Sequence, residues 1–153
     1  MDGLAQGVMR EPHPILRAFQ ASTPPLVMTD PLARSLKGSI LELDAEAGRA
    51  VLAFEPDESF KQGGGVIHGG IVTTMLDYAM ALAAFSRAAE GQSFATVSLT
   101  THFLRSTLPG RHLARATLDR MGSRMIFASA QLVRDGDTQP LATGTAVMAM
   151  TRG

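Results

Sequence analysis

The sequence contains no cysteine, no basic run and no uninterrupted apolar stretch long enough to span a membrane. Without cysteine, the chain can form neither a disulfide framework nor a thiolate nucleophile. Lysine plus arginine and aspartate plus glutamate balance at 14 each, so the charge pattern argues against nucleic-acid and membrane-surface partners. The first residues also lack a basic segment followed by an apolar core. We therefore expect a cytoplasmic protein that binds neither nucleic acid nor a membrane.

The length and composition of the chain favour one domain. Its 153 residues, 45% of them hydrophobic, are enough for one well-packed core and too few for two. Prolines crowd the first 32 residues, where they permit one short helix over residues 15–20 and otherwise loop. We expect residues 1–34 to form an extension that packs on the outside of a domain comprising residues 35–153.

The domain shows one helical pattern among six strand patterns. Apolar residues alternate or cluster in SLKGSILELD and GRAVLAFEP, which predict a hairpin joined at the turn-like AEAG. A helix is predicted over residues 69–87, directly after a glycine-rich loop. Turn sequences then separate four more strands, predicted over residues 94–105, 111–121, 124–134 and 141–151. The predicted order is β-β-α-β-β-β-β, which is typical of an α+β fold.

One alternating face of the last three strands carries only very small side chains. The residues are Ala114, Ala116, Ala128, Ala130, Ala142, Gly144 and Ala146. Small side chains on a sheet face let a bulky element lie close to it. The helix over residues 69–87 is apolar on nearly every side and should therefore be buried on nearly every side. We expect a curved antiparallel sheet wrapped around this one central helix.

A single carboxylate, Asp77, interrupts the apolar helix, although aspartate is a poor helix former in mid-helix positions. Placing an ionised carboxylate in an apolar setting is unfavourable unless it is paired, hydrogen-bonded or left beside a water-filled cleft. A polar stripe that reaches solvent, or an arginine partner, would account for it. The short stripe that Asp77 forms with Thr73 and Thr74 favours a carboxylate at a pocket wall, basic enough to activate water or attack a substrate.

Glycines crowd the entrance of the predicted helix around His68, and they are Gly63, Gly64, Gly65, Gly69 and Gly70. Glycine permits positive φ and lets another molecule approach the backbone closely. Amides at a helix N-terminus suit a phosphate or the oxyanion of an acyl-transfer intermediate. No lysine follows the glycines, so the run does not fit a P-loop. Simple loop flexibility is the alternative, and we expect His68 to orient the loop.

The sequence indicates neither a metal site nor a serine nucleophile. The histidines have no paired short spacing and no cysteine partners, and they are His13, His68, His102 and His112. A G-x-S-x-G elbow is also absent from the sequence. We therefore expect no metal site.

The spacing of the acid and the helix entrance has a consequence for assembly. Asp77 lies eight residues after Gly69, which places the carboxylate about 12 Å along the helix axis from the first amides. One carbonyl cannot use both groups within a single chain. If both act on one substrate, a second subunit must bring its Asp77 beside the first subunit's Gly69. This predicts a two-fold dimer with two equivalent shared sites.

Three segments together resemble the hotdog-fold acyl-CoA thioesterases of the phenylacetate-degradation, or PaaI-like, type. They are FKQGGGVIHGGIVTTMLDYAMALAA, TVSLTTHFLR and RMIFASAQLV. The most specific element is H-G-G followed by an acid nine residues after the histidine. The resemblance implies hydrolysis of an acyl-CoA by a homodimer or a dimer-of-dimers tetramer. It implies no cofactor, because coenzyme A is part of the substrate.

The resemblance also implies a role for each matching residue. Asp77 is the base or nucleophile, and the Gly69 amide polarises the thioester carbonyl. Gly70 contacts the substrate beside it, and His68 helps to order the loop. Thr96 falls where relatives carry a hydroxyl residue that positions the attacking water.

Several residues depart from the family pattern or extend it. Gln62 stands where many relatives have asparagine, but it also occurs in aryl-CoA members, so the acyl class stays open. Ala81 stands where some relatives carry a hydroxyl four residues after the acid. Arg105, Ser123 and Arg124, near strand ends, are candidate contacts for the phosphates of coenzyme A. Exposure to solvent at the surface is the alternative for each of them.

Two other functions are compatible with the same fold. An enoyl-thioester hydratase or dehydratase usually needs a histidine and an acid in direct cooperation, whereas His68 precedes the helix and Asp77 lies two turns into it. A non-catalytic acyl-CoA binding module would bind thioesters tightly without releasing thiol, and substitution of Asp77 would not affect it.

Overall fold

A seven-stranded antiparallel sheet curls around one long helix in the computed structural model, which describes residues 10–151. The first nine residues of the predicted extension, and the last two of the predicted domain, lie outside this range. The helices are α1 (Pro14–Gln20), α2 (Pro31–Ser35) and α3 (Gly69–Phe85). The strands are β1 (Leu26–Val27), β2 (Ser39–Asp44), β3 (Arg49–Phe54), β4 (Ser93–Phe103), β5 (His112–Met121), β6 (Met125–Arg134) and β7 (Pro140–Thr151).

The strands lie in the sheet in the order β1-β2-β3-β5-β6-β7-β4. Every neighbouring pair is antiparallel, and each of the hairpins β2–β3, β5–β6 and β6–β7 joins strands that are consecutive in the chain. β4 instead crosses to the far side of β7 and forms one edge of the sheet. The predicted order of elements and the hotdog architecture are therefore confirmed.

The N-terminal segment contains more structure than the sequence predicted. The short helix predicted over residues 15–20 is present as α1. The expectation of loop elsewhere in the segment was wrong, because Leu26–Val27 pairs with β2 and Pro31–Ser35 forms α2. Proline suits the first position of a helix, because the N–H that it lacks would have no partner within the helix there. At the start of α2, the Asp30 carboxylate accepts a hydrogen bond from the Ala33 amide at 3.2 Å and so caps the helix. The prolines thus start helices here and do not prevent them.

The small-residue face of the sheet lies against α3, as predicted. Its alanines on β5, β6 and β7 are buried. A Cβ added at Gly144 would lie only 3.3 Å from the Leu76 side chain and 3.5 Å from that of Met80, so the helix approaches β7 as closely as a glycine allows. The buried residues of α3 are Val72, Met75, Leu76, Ala79, Met80, Leu82, Ala83 and Ala84.

Burial of α3 is less complete than the sequence predicted. A stripe that includes Thr73, Asp77, Tyr78 and Ala81 stays partly exposed in the single chain. The sheet ends at β4 on this side, so it covers the helix only up to that edge. None of the helices in residues 10–151 has the length and apolar character needed to cross a membrane.

A buried histidine, His112, starts β5 with its side chain at 0% exposure. Its Nδ1 lies 2.7 Å from the Gly110 carbonyl oxygen, which accepts the proton of that nitrogen in the neutral ring. Its Nε2 has no hydrogen-bond partner among residues 10–151. Burial lowers the pKa of His112 from its ordinary 6.5; the Gly110 hydrogen bond opposes this shift and the Arg134 charge adds to it.

This histidine should make stability depend on pH. With a native pKa below 6.5, its contribution is complete above pH 6.5 and is lost as the pH falls toward the lowered native value, because the unfolded chain binds the proton first. We expect the free energy of unfolding to fall from pH 7.5 to 5.5, and to fall less in His112→Asn. Urea denaturation at fixed protein concentration measures both slopes. His102→Asn, at an exposed position, is the control, and a variant slope equal to the wild-type slope would contradict the assignment.

Candidate active site

Strand β4 runs antiparallel along α3, and three of its contacts with the helix lie between the acid and the helix entrance. The Thr96 hydroxyl donates to Asp77 Oδ1 at 3.0 Å. The hydroxyls of Thr73 and Thr101 are 2.9 Å apart and hydrogen-bonded. The third point is the Phe103 ring at the entrance of the helix, described below. The strand therefore passes from the acid at its beginning to the glycine-rich entrance of the helix at its end.

The carboxylate of Asp77 is partly buried, and the Thr96 hydroxyl is its hydrogen-bond donor. Within residues 10–151, Asp77 forms no ion pair. In the same range, its second carboxylate oxygen, Oδ2, accepts no hydrogen bond. The same range contains no group of three or more acidic or histidine side chains that could hold a metal ion. An arginine partner was one explanation for the position of Asp77. The described residues of the chain contain no such partner.

The entrance of α3 presents backbone amides. His68 is the N-cap residue, and its side chain is exposed and makes no capping hydrogen bond. Its backbone holds the entrance, since its N–H donates to the Phe60 carbonyl at 3.0 Å and its own carbonyl accepts from the Ile71 amide at 2.9 Å. The amides of Gly69 and Gly70 donate to no acceptor within residues 10–151. Their position at the positive end of the helix dipole suits an oxyanion.

The two glycines at the entrance differ in their surroundings. A Cβ at Gly69 would lie 3.1 Å from Cζ of Phe103, so this ring lies beside the backbone at that position. A Cβ at Gly70 would meet no atom within 4 Å. The backbone at Gly69 is therefore flanked by an aromatic ring, whereas Gly70 faces open space in the single chain.

Gln62 orders the loop that precedes the helix. Its side-chain Oε1 accepts a hydrogen bond from the Gly64 amide at 2.5 Å. Its backbone N–H donates to the Val66 carbonyl at 2.8 Å. Gly65, within this loop, has φ +84°, a conformation that favours glycine. Gln62, Gly69 and Arg105 line a common cleft of about 450 Å³. Three of the residues expected at the site from the sequence are thus neighbours.

The candidate contacts for the phosphates of coenzyme A lie at two separate ends of the sheet. Arg105, just after β4, is tied down by Asp137 at 3.3 Å and by the Pro140 carbonyl at 3.4 Å. Ser123 and Arg124 form the exposed turn between β5 and β6, and the Arg124 carbonyl accepts from the Met150 amide at 2.9 Å. Met150 pairs with the first residues of β4, so this turn lies at the Asp77 end. One chain does not bring the two arginines together.

Two residues near the site escaped the sequence analysis. Phe103 lies against Gly69, and its only signal is an aromatic residue at the end of a strand. Tyr78, the single tyrosine of the chain, directly follows Asp77, and its hydroxyl donates to the Asp30 carboxylate. Burial, the Asp30 hydrogen bond and the charges of Asp30 and Asp77 raise the pKa of Tyr78 to about 12, although a hydrogen bond involving the Ala33 backbone opposes the shift. Tyr78 therefore anchors the N-terminal segment to α3 as a neutral phenol.

Comparison with known proteins places this chain in a family. Residues 64–141, more than half of the chain, match the Thioesterase superfamily. A provisionally named esterase of Pseudomonas aeruginosa is 36% identical over 110 residues, which cover 71% of this chain and 81% of that protein.

Solved structures agree with this match. A provisionally named thioesterase of Ralstonia eutropha JMP134, described as related to phenylacetic acid degradation, is 30% identical with a TM-score of 0.75, and the match covers 88% of this chain and 96% of that one. The phenylacetic acid degradation protein PaaI of Thermus thermophilus, solved as a mutant, is 26% identical with a TM-score of 0.69, covering 78% and 98%. The chain therefore belongs to the thioesterase superfamily, as a PaaI-like hotdog thioester hydrolase.

Proposed function

We propose that the protein hydrolyses an acyl-CoA thioester to the free acid and coenzyme A, at two equivalent sites shared across a two-fold dimer. In each site Asp77 of one subunit serves as base or nucleophile. The Gly69 amide of the other subunit stabilises the oxyanion that forms as the carbonyl is attacked. The C–S bond breaks and the sulfur leaves as a thiolate, so the reaction needs little help from a general acid.

The observation that carries this proposal is the course of β4 along α3. Thr96 contacts Asp77, and Phe103 lies against Gly69 seven residues later, so the acid and the amide lie at opposite ends of one free sheet edge. Suppose that β4 pairs antiparallel with its copy about a two-fold axis at Thr100, and that the β-bulge between Thr96 and Ser98 takes up one extra residue. Thr96 then lies opposite the partner subunit's Phe103. Each Asp77 is thereby brought beside the Gly69 of the other subunit.

The character of this edge supports such pairing. β4 is 11 residues long and contains neither a charged residue nor a proline, the features that usually protect a free edge from pairing. Val97 and Phe103 are each 57% exposed, and Leu104 just beyond the strand is also exposed. A long uncharged edge with unpaired backbone groups is expected to pair with another strand.

The same pairing supports a place for coenzyme A. Arg124 lies at the Asp77 end of one subunit, and Arg105 at the Gly69 end of the other. The pairing would bring these two guanidinium groups to one site, where they would bind the phosphates of coenzyme A. Gln62 and Gly70 would face the thioester from the Gly69 side. A dimer-of-dimers tetramer and a cytoplasmic location remain predictions from the sequence.

The remaining side chains fit supporting roles. The Thr96 hydroxyl holds one carboxylate oxygen of Asp77, which leaves the other oxygen to take a proton from water or to attack the acyl carbon. His68 supplies the backbone of the entrance, and its exposed ring lies nine residues before Asp77.

A hybrid dimer tests the shared site. We would co-express Asp77→Asn and Gly69→Pro subunits with different tags, purify the hybrid by both tags and measure thiol release from acyl-CoA. The parent dimers should be almost inactive. The hybrid should recover about half of the wild-type activity, because one of its two sites receives an intact acid and an intact amide.

The control is a doubly tagged dimer in which both subunits carry Asp77→Asn, and it should recover nothing. A hybrid as inactive as its parents would contradict the shared site. Tight binding of acyl-CoA by the wild type without thiol release would instead identify a binding module. Loss of the conjugated enoyl absorbance of crotonyl-CoA without thiol release would identify a hydratase.

A further inference from the structure

An apolar pocket of about 490 Å³ lies between the N-terminal segment and the C-terminal half of α3. We call it the extension pocket, and its lining includes Ala18 of α1, Val27 of β1 and four residues of α3: Tyr78, Ala81, Leu82 and Phe85. A concave pocket of this size with mostly apolar walls is typical of small-molecule sites. The reaction proposed above does not yet give it a role.

The extension pocket begins one helical turn from the proposed catalytic carboxylate. Ala81 follows Asp77 by four residues, so the two lie on the same face of α3, about 6 Å apart along its axis. Ala81 contributes only a methyl group between the carboxylate and the pocket. An acyl carbon held at Asp77 would therefore have its chain directed past Ala81, over a small side chain.

Three polar side chains in the pocket walls, those of His13, Asp30 and Tyr78, are engaged with protein partners. The Tyr78 hydroxyl donates to the Asp30 carboxylate, which also accepts from the Ala33 amide. Nδ1 of His13 accepts from the Ile15 amide at 3.3 Å. The His13 ring also packs on Phe85 with 4.3 Å between ring centres. A polar substituent on a ligand that lies beside these three side chains would therefore compete with their existing hydrogen bonds.

We propose that the extension pocket receives the acyl chain of the thioester, and that this acyl group is an unsubstituted hydrocarbon of more than four carbons. The inference rests on the proposed function, since it takes Asp77 as the group that acts on the thioester. Val27, in the pocket wall, is 66% exposed. A bound chain would cover this side chain and remove its apolar surface from water.

The test compares thioesters that differ only in chain length. In the wild type, each methylene added between butyryl-CoA and octanoyl-CoA should raise kcat/KM about fourfold, the value that corresponds to burial of one methylene. Ala18→Trp fills the pocket from an exposed position on α1. It should lower the ratio of the octanoyl to the butyryl kcat/KM about tenfold or more.

A second variant and two controls keep the test independent of folding defects. Val27→Glu puts a charge in the wall and should lower the same ratio. Gln20→Trp on α1 and Leu32→Glu on α2 make the same replacements at exposed positions outside the pocket, and they should leave the ratio at its wild-type value. Circular dichroism and thermal melting check that each variant is folded.

Polarity gives an independent readout. 4-Hydroxyphenylacetyl-CoA should have a kcat/KM about tenfold lower than phenylacetyl-CoA, because its hydroxyl would be buried beside polar groups that already bond to one another.

The possible failures are distinguishable. Thiol release no faster than that of Asp77→Asn with every thioester would overturn the proposed function itself. Hydrolysis with a flat chain-length profile, or with equal ratios in pocket and control variants, would overturn only the acyl pocket. A change in oligomeric state in Ala18→Trp with an unchanged ratio would instead identify this surface as a contact between subunits.

Discussion

Replacing Asp77 with asparagine should lower kcat for acyl-CoA hydrolysis by about 10²- to 10⁴-fold, the range for loss of a general base. The amide has nearly the shape of the carboxylate, and its oxygen can still accept from the Thr96 hydroxyl, which now donates at 3.0 Å. The variant loses the negative charge and the basicity of the side chain, but not its packing. KM and the melting temperature should therefore change little. Steady-state thiol release with a thermal melt measures all three quantities.

The chain offers a matched control for this substitution. Asp119 on β5 accepts from the Ser129 hydroxyl, also at 3.0 Å, and lies on an exposed part of the sheet away from α3. Asp119→Asn also removes one negative charge from a carboxylate that accepts a hydroxyl hydrogen bond. For this variant, kcat should stay at the wild-type value. An Asp77→Asn enzyme that retains wild-type kcat would refute the assignment of the acid.

Replacing Gly69 with proline should lower kcat about 10²- to 10³-fold relative to Gly69→Ala, the usual effect of removing one oxyanion donor. Proline removes the N–H and leaves the helix intact, since Gly69 is the first residue of α3 and that position tolerates proline. His68, with φ −51° and ψ 136°, already has the extended conformation that a residue before proline requires. The substitution therefore deletes a backbone donor by an ordinary point mutation.

Alanine at position 69 is the matched control for this variant. Both replacements add a Cβ that would lie 3.1 Å from Phe103, so both require a small shift of this half-exposed ring. Only proline lacks the N–H. Measuring kcat/KM for both variants, with circular dichroism for the helix, separates the steric effect from the lost hydrogen bond. Equal activities would show that the Gly69 amide does not stabilise the transition state.

Much of the fold followed from local sequence patterns. The long apolar segment of α3, the glycines at its entrance and the turn residues between strands are properties of short segments, so they could be identified without knowledge of the fold. The alanine and glycine face of the last strands also predicted where the helix packs, because only small side chains allow so close an approach. At the N-terminus the same reasoning failed, since Pro31 was taken as a barrier to helix. The Asp30-Pro31 pair is in fact a helix-start signal.

The separation of the candidate catalytic groups also followed from the sequence. The rise of an α-helix fixes the distance between Gly69 and Asp77 whatever surrounds them. The identity of the strand that lies along α3 could not be read in this way. Pairing of β4 with β7 joins residues that are far apart in the chain, and any apolar strand of similar length offers the same backbone groups to a neighbour.

The sequence by itself determined the hotdog order of elements, the lone acid in an apolar helix and the need for a second subunit if acid and amide act together. Only the tertiary structure decided that β4 forms the free edge, that Phe103 lies beside Gly69 and that an apolar pocket opens next to Asp77. The reason is physical: helix rise, turn conformation and side-chain size act over a few residues, whereas edges and pockets arise from the packing of segments distant in sequence.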